Sequence, residues 1–162
     1  MKKIITLSFI GMISCFFAAC GGKQDTQTVA TPAATTEAAT TENGNPSYDP
    51  NRGEGKFNDV KVGEKLDVAM ADNGSKAYDV KCSSCHKLTE EKLVGPGWAG
   101  VSKRRTPTWL MNFITNTDEM INKDPEAQAQ LEICLVRMPN QSLSDDEARG
   151  LLEFMRKNDG VK

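Results

Sequence analysis

The chain has 162 residues, of which 38% are hydrophobic and 6% aromatic, and its formal net charge is −2. This length accommodates one ordinary domain, and the composition excludes a multi-domain enzyme, a polytopic membrane protein and a coiled coil. A leader and a linker take up the first 50 residues, so about 110 residues remain to build a core, which is marginal for a stable domain.

The charge is unevenly distributed along the sequence. Residues 76–105 carry a net charge of +4, whereas residues 20–75 and 106–162 each carry −4. An acidic chain is a poor candidate for nucleic-acid binding. The basic stretch predicts a docking surface for an acidic partner or an ordinary solvated surface, and the sequence leaves both open.

The N-terminus has the pattern of an export signal. Lys2 and Lys3 precede the apolar run Ile4–Ala19, which is shorter than the roughly 20 residues of a membrane-spanning helix. The run ends in Phe-Ala-Ala-Cys-Gly at residues 17–21, which resembles the lipobox of bacterial lipoproteins except that Leu is usual at the first position. The resemblance implies cleavage before Cys20 and its diacylation.

Two alternatives to this lipoprotein interpretation stay open. The leader is consistent with an ordinary cleaved secretory signal, and Cys15 is a rival acylation site with bulkier residues before it. Each interpretation places the rest of the chain outside the cytoplasm. Gly21 in place of Asp after the acylated Cys20 favours the outer membrane in the family rule for lipoprotein sorting.

The sequence predicts four segments. Residues 1–19 form the lipoprotein signal peptide, and residues 20–50 form a flexible lipid-anchored linker, because Thr26–Glu42 has almost only Thr, Ala, Glu, Pro and Gln and no apolar period. Residues 51–66 are half-polar and are predicted as an extended arm. Residues 67–162 form the folded domain.

The chemistry resides in the motif Cys82-Ser83-Ser84-Cys85-His86, the attachment pattern of c-type haem. Two thiols three positions apart on one helical turn are able to add to the two vinyl groups of one porphyrin. The following His86, the single histidine of the chain, then lies beneath the iron. The motif therefore predicts one covalent haem c.

Three other interpretations of this motif fit the sequence less well. A thioredoxin-like dithiol needs a βαβ context, and no such alternation is visible. A zinc site needs about four ligands, which one histidine and three cysteines supply only at a poor spacing. A disulfide between Cys82 and Cys85 leaves His86 without a role.

Several helices are indicated by spacing and caps. Gly74, Tyr78 and Cys82 recur every four residues, which predicts a helix leading into the motif. Ser144–Glu147 is a capping box, and it opens the apolar stripe Ala148, Leu151, Leu152 and Met155.

Two further helices are predicted between the motif and the capping box. Thr106-Pro107 and Asp124-Pro125 each place an N-cap before a proline at the first helical position. The second of these helices is expected to carry Ala127, Leu131 and Leu135.

The order of these pieces from Asp67 to Lys157 resembles a monohaem class I cytochrome c. The resemblance implies an all-α fold in which helices wrap around one covalent haem and in which the first and last helices cross, with Leu151 and Phe154 packing on the first. It implies that the Pro96 carbonyl accepts a hydrogen bond from His86, the proximal iron ligand. The haem-binding residues assigned on this basis are Cys82, Cys85, Pro96, Trp98, Arg104, Arg105 and Trp109, with the two arginines as partners of the haem propionates or as part of a solvated basic run.

The distal iron ligand assigned by the resemblance is Met138. It lies 52 residues after His86, directly before Pro139, in a polar loop leading to the last helix. Met120, expected in a loop, is the alternative, while Met70, Met111 and Met155 are interpreted as core. Cys134 has no partner in the mature chain and is interpreted as a buried, inert thiol, with an intermolecular disulfide as the other option.

With two axial ligands, the expected function is outer-sphere, one-electron transfer rather than an enzymatic reaction. The predicted protein is a monomeric extracytoplasmic carrier, anchored by its N-terminal lipid, that connects membrane oxidoreductases with a terminal reductase or oxidase through a partner's acidic docking face. The segments around Gly95–Arg105 and Met138–Asn140 resemble small bacterial cytochromes, some associated with nitrous-oxide respiration. The alternatives are a haem-based sensor of small ligands, a haem subunit of a larger redox enzyme, and a thiol–disulfide protein without haem.

Overall fold

A computed structural model describes residues 48–162, and the signal peptide, Cys20 and most of the predicted linker lie outside this range. The helices of the described part are α1 Val68–Lys81, α2 Val101–Arg104, α3 Pro107–Thr115, α4 Thr117–Lys123, α5 Pro125–Cys134 and α6 Asp145–Asn158. This range contains no β-strand, only an isolated bridge between His86 and Lys92. The all-α prediction is therefore confirmed. Within residues 48–162, no helix has the length and apolarity to cross a bilayer.

Helices α1 and α6 cross at a pair of glycines. A Cβ on Gly74 would overlap the carbonyl group of Gly150, and a Cβ on Gly150 would lie 3.1 Å from the Gly74 nitrogen. The backbones meet directly at this point, which explains why a residue of low helix propensity occupies each helix. The crossing sets the position of the C-terminal end of α1, where the Cys-x-x-Cys-His motif begins.

Helix α6 follows the predicted pattern closely. The Ser144 side chain accepts from the Glu147 N–H, and the Glu147 carboxylate accepts from the Ser144 N–H at 2.9 Å, so the capping box is complete. The apolar stripe is buried, with Leu151 and Leu152 in the core. Phe154 packs on Tyr78 of α1, with ring centroids 5.4 Å apart.

Helices α3 and α5 begin as their sequences predict. Thr106 accepts from the Trp109 N–H at 3.0 Å, and Asp124 accepts from the Ala127 N–H at 2.8 Å, each with proline at the first helical turn. The placement of Leu135 on α5 was wrong. The helix ends at Cys134, and Leu135 adopts a left-handed conformation with φ of 59° and is 85% exposed.

Residues 48–66 run along the surface of the helices. Phe57, Val60 and Val62 pack partly buried against the core. The side chain of the fully buried Asn112 satisfies both main-chain polar groups of Phe57. It accepts from the Phe57 N–H and donates to the Phe57 carbonyl, each at 2.9 Å. Further along, Arg156 of α6 donates to the Gly63 carbonyl at 2.5 Å.

Candidate functional site

The Cys-x-x-Cys-His motif continues the last turn of α1. The Cys82 N–H donates to the Tyr78 carbonyl at 2.9 Å, and the N–H groups of Cys85 and His86 both donate to the Cys82 carbonyl, at 3.0 and 2.9 Å. This extra turn brings both thiols and the imidazole into one compact stretch. Burial raises the pKa of the Cys82 thiol to about 11.

The orientation of the His86 ring is fixed through one nitrogen. Nδ1 lies 2.8 Å from the Pro96 carbonyl oxygen, and because a carbonyl only accepts, Nδ1 carries the proton. Burial lowers the pKa of His86, against the opposing effect of the Pro96 bond, so the ring is neutral near pH 7. A neutral ring protonated on Nδ1 presents a free lone pair on Nε2, as a metal ligand requires.

The loop that presents Pro96 is held to the motif by main-chain bonds. The Gly95 N–H donates to the Cys85 carbonyl at 2.9 Å, and the Trp98 N–H donates to the Lys87 carbonyl at 2.8 Å. Gly95 lies so close to the His86 ring that a Cβ there would overlap it. Trp98 is buried, with its ring centroid 5.6 Å from that of His86.

A cavity of about 230 Å³ opens beside the motif. Its wall is mainly apolar and comes from the motif, the Pro96 loop, every helix from α2 to α6, and the segment after α5. The predicted site residues on this wall are Cys85, His86, Pro96, Trp98, Arg104, Arg105, Trp109 and Met138. Cys82 is buried in the hydrophobic core. The structure thus brings together residues spread over more than 50 positions of sequence.

The methionines separate into those that line the cavity and those that do not. Met138 lines it, from the non-helical segment between α5 and α6, and Met155 lines it from α6. Met120 does not. It lies in α4 rather than in a loop, is 0% exposed, and its sulfur accepts from the Glu54 N–H at 2.9 Å. The prediction that Met120 lies in a loop was therefore wrong, and its sulfur already has a donor within the protein.

The two arginines assigned to the site both line the cavity, and both also have protein partners. Arg104 donates to the Ala99 carbonyl at 2.6 Å. Arg105 pairs with Glu126 at 2.5 Å, and its guanidinium lies 4.9 Å from the Trp109 ring centroid. These partners hold the guanidinium groups at the cavity wall.

Sequence reasoning missed much of the wall contributed by α5. Ala127, Leu131 and Cys134 all line the cavity. Cys134 is only partly buried, so its interpretation as a buried thiol was wrong. The spacing of three to four residues among these positions marks one helix face, but an apolar helix face alone does not distinguish a core from a cavity wall.

The geometry also tests the other interpretations of the motif. Cys82, Cys85 and Cys134 are free thiols. Within residues 48–162, no three His, Cys, Asp or Glu side chains gather around a common point where a metal ion would bind, so the zinc interpretation was wrong. A neutral imidazole with a free nitrogen, a thioether and the Cys85 thiol on the wall of an apolar cavity, together with the free Cys82 thiol in the core, form the donor set of a haem c site. The class defined by fold and site is thus an all-α protein that holds one haem.

Comparison with known proteins identifies the family. The model of the cytochrome c family matches residues 71–159. The fold is also similar to cytochrome c from Rhodothermus marinus, at 32% identity over 65% of this chain and 90% of that chain, with a TM-score of 0.62. An engineered form of that cytochrome is 31% identical over the same shares, with a TM-score of 0.62, and the same engineered form bound to a carbene intermediate gives 0.59. No curated protein is significantly similar to the chain.

The chain belongs to the cytochrome c family. The class I fold and the covalent haem c expected from Cys82 and Cys85 are thereby confirmed, and haem-based electron transfer follows from them. Domains of this family typically work outside the cytoplasm and exchange electrons with redox partners.

Proposed function

We propose that this protein is an extracytoplasmic one-electron carrier, not an enzyme, whose haem iron is held by His86 and Met138. The observation that supports it is their common placement with Cys85 on the wall of one apolar cavity. Haem c supplies a one-electron iron couple when bound. If His86 and Met138 both hold the iron, no position would remain for a substrate, which favours outer-sphere electron transfer.

The protein contributes orientation and a low dielectric. The bond from His86 Nδ1 to Pro96 prevents rotation of the imidazole and increases its basicity as a ligand. The apolar wall excludes water, and together with a thioether ligand this favours a higher reduction potential than harder ligand sets give. Trp98 and Trp109 are buried and both line that wall.

Covalent attachment and axial ligation are tested with separate variants. Wild-type protein co-expressed with a haem c maturation system should retain haem-peroxidase staining on a denaturing gel, and Cys85→Ala should weaken or abolish it. Met138→Leu should lower the midpoint potential and open the iron to carbon monoxide. Met120→Leu is the matched control, because it removes a sulfur that faces the Glu54 N–H, and it should leave both properties unchanged. Equal behaviour of the two methionine variants would contradict ligation by Met138.

A small-ligand sensor is the second candidate function, and one observation favours it. Met138 lies on a segment without helix, and the two non-glycine residues with positive φ in residues 48–162, Leu135 and Ser142, flank it. Strain of this kind accompanies segments that rearrange. A carbon monoxide difference spectrum of the reduced wild-type protein distinguishes the functions, because a carrier should bind little and a sensor should bind readily.

For docking, we propose a partner with an acidic face that approaches the cavity mouth. Lys81 and Lys87 are paired with Glu147 and Glu91, so the attraction is assigned to Lys92 and Lys103. Lys92 reaches across to the Ile133 carbonyl at 3.2 Å, next to the exposed side chains of Leu93 and Val94. Basic side chains close to exposed apolar ones suit transient electrostatic association.

The docking proposal predicts a salt-dependent rate. Stopped-flow electron transfer to an acidic redox protein should slow as ionic strength rises through 0.1 M, where the Debye length is about 10 Å. A double variant Lys92→Glu and Lys103→Glu should be slower at low salt. The control Lys61→Glu and Lys65→Glu makes the same charge change on the arm and should match the wild type. Equal slowing by both double variants would assign the effect to net charge alone.

The N-terminal anchor is part of the same proposal. Acylation of Cys20 would hold the carrier at a bacterial membrane, with the outer membrane favoured, as a monomer on a flexible linker. A terminal reductase or oxidase, including one of nitrous-oxide respiration, is the proposed acceptor. Cys20→Ser should move the protein from the membrane fraction to the soluble periplasmic fraction and abolish radiolabelling with palmitate, whereas Cys15→Ser should do neither.

A further inference from the structure

Asp124 is a buried carboxylate at the start of α5. It is 1% exposed and has three donors: the Tyr48 hydroxyl, Trp109 Nε1 at 2.7 Å and the Ala127 N–H at 2.8 Å. The Ala127 bond goes to Oδ1, and the other two go to Oδ2. A charge this deep in the protein is stable only while its oxygens keep such partners.

Two of the three donors belong to the cavity wall. Trp109 and Ala127 both line the cavity, and α5 continues from Ala127 to Leu131 and Cys134 on the same wall. The chain then passes directly into the segment that carries Met138. Asp124 therefore joins α3 to the start of the helix that leads to the proposed distal ligand.

The third donor comes from the distant end of the described chain. Tyr48 lies 76 residues before Asp124 in sequence, ahead of the arm. Burial and the adjacent Asp124 carboxylate raise the pKa of Tyr48 above its ordinary value, so the hydroxyl keeps its proton and remains a donor. Without it, Oδ2 would keep only the indole N–H, and the carboxylate would have to turn or admit water.

We propose that Tyr48 is a positioning residue of the haem site, acting through Asp124 on Trp109 and on the first turn of α5. This inference rests on the proposed electron-carrier function. Tyr48 lies outside the cavity, yet under this proposal it influences the geometry of the haem site on the side of Met138. The effect passes through three hydrogen bonds that share the Asp124 carboxylate.

The experiment compares two variants of the full-length holoprotein that each remove one hydroxyl between the N-terminal segment and the helices. Tyr48→Phe removes the donor to Asp124. Thr108→Val removes the acceptor of the Val60 N–H, a bond of 2.9 Å, from a residue that does not line the cavity. The measurements are the midpoint potential, the rate of carbon monoxide binding to the reduced protein, and amide hydrogen exchange over residues 125–138.

Tyr48→Phe is expected to shift the midpoint potential, to speed carbon monoxide binding and to accelerate exchange in residues 125–138 by at least about tenfold, the loss expected for one hydrogen bond to a charged group. Thr108→Val should leave all three at their wild-type values. Asp124→Asn, which keeps the shape of the side chain, should change them in the same direction as Tyr48→Phe.

The proposal is overturned if Tyr48→Phe leaves potential, ligand binding and exchange unchanged, or if Thr108→Val changes them equally. Should Asp124→Asn fail to fold, Tyr48→Phe decides alone. Failure of the electron-carrier function would appear in the wild type, as missing haem or as insensitivity to Met138→Leu. Failure of this inference would appear only between the two hydroxyl variants.

Discussion

The region that carries His86 and the region that carries Met138 are built by different means. His86 follows a 14-residue helix that crosses α6 backbone to backbone, and main-chain bonds hold its loop. Met138 lies on a non-helical segment after the ten-residue α5, whose first turn depends on the side chain of Asp124. We therefore expect added side-chain volume to disrupt the His86 region, and the loss of single polar contacts to disrupt the Met138 region.

The largest effect should come from adding volume at the glycine crossing. Gly74→Val would force side-chain carbons into the Gly150 carbonyl and the Leu151 N–H, so α1 and α6 would separate. We expect a loss of more than about 4 kcal/mol in the free energy of unfolding, measured by urea denaturation of the holoprotein. Asn73→Ala, on the exposed side of the same helix, is the control and should cost nothing. A small loss for Gly74→Val would show that the crossing is able to open.

The next largest effect should come from a buried cluster of charged side chains on α6. The cluster also contacts the arm, because Arg156 donates to the Gly63 carbonyl. Glu153 is 1% exposed and pairs with Arg156 at 2.7 Å and with Arg149 at 3.0 Å. Glu153→Gln keeps the size but leaves a buried guanidinium without its counter-charge, which should cost about 3 kcal/mol.

The absorption spectrum of the haem should stay unchanged in Glu153→Gln, because none of these three residues lines the cavity. Thermal unfolding monitored by circular dichroism and a visible spectrum separate the two effects. Lys157→Gln, on the same helix as Glu153, removes an exposed pair with Asp72 of α1 and should cost less than about 1 kcal/mol. An altered spectrum in Glu153→Gln would mean that this cluster also shapes the haem site.

The sequence predicted the His86 region better than the Met138 region, and the reason is physical. The four-residue spacing of Gly74, Tyr78 and Cys82, the capping box and the Cys-x-x-Cys-His motif are local patterns, and each dictates its own structure. The roles of Met120 and Leu135 are not local. The Met120 sulfur accepts from the Glu54 N–H, and α5 ends one residue before Leu135. Both features depend on segments that are distant in sequence and pack against these residues. Asp124 was predicted as a cap, but its bonds to Tyr48 and Trp109 have no sequence signal.

The pH dependence of stability gives a smaller effect in the His86 region. Glu147 accepts from Ser144 and from Lys81, which lies one residue before Cys82, and these bonds lower the pKa of its carboxyl to about 2 from an ordinary 4.5. The unfolded state then binds more protons, so the contribution is present above about pH 4.5 and is lost as the pH falls towards 2.

Thermal unfolding of wild type and Glu147→Gln from pH 6 to pH 2 tests this. The gap between their melting temperatures should shrink across that interval. If the difference in melting temperature stays constant with pH, the negative charge of Glu147 does not contribute to stability.

The smallest effect should be a gain in stability in the Met138 region. Leu135 has a φ of 59°, a conformation that costs a non-glycine residue about 1 kcal/mol, and at 85% exposure it recovers little by burial. Asparagine tolerates this conformation better, so Leu135→Asn should raise the free energy of unfolding by up to about 1 kcal/mol. Ile133→Asn is the control within α5 and should not stabilise. The midpoint potential should stay constant in both variants, since neither side chain lines the cavity. A drop in stability for Leu135→Asn would mean that contacts of Leu135 within the protein outweigh the strain of the turn.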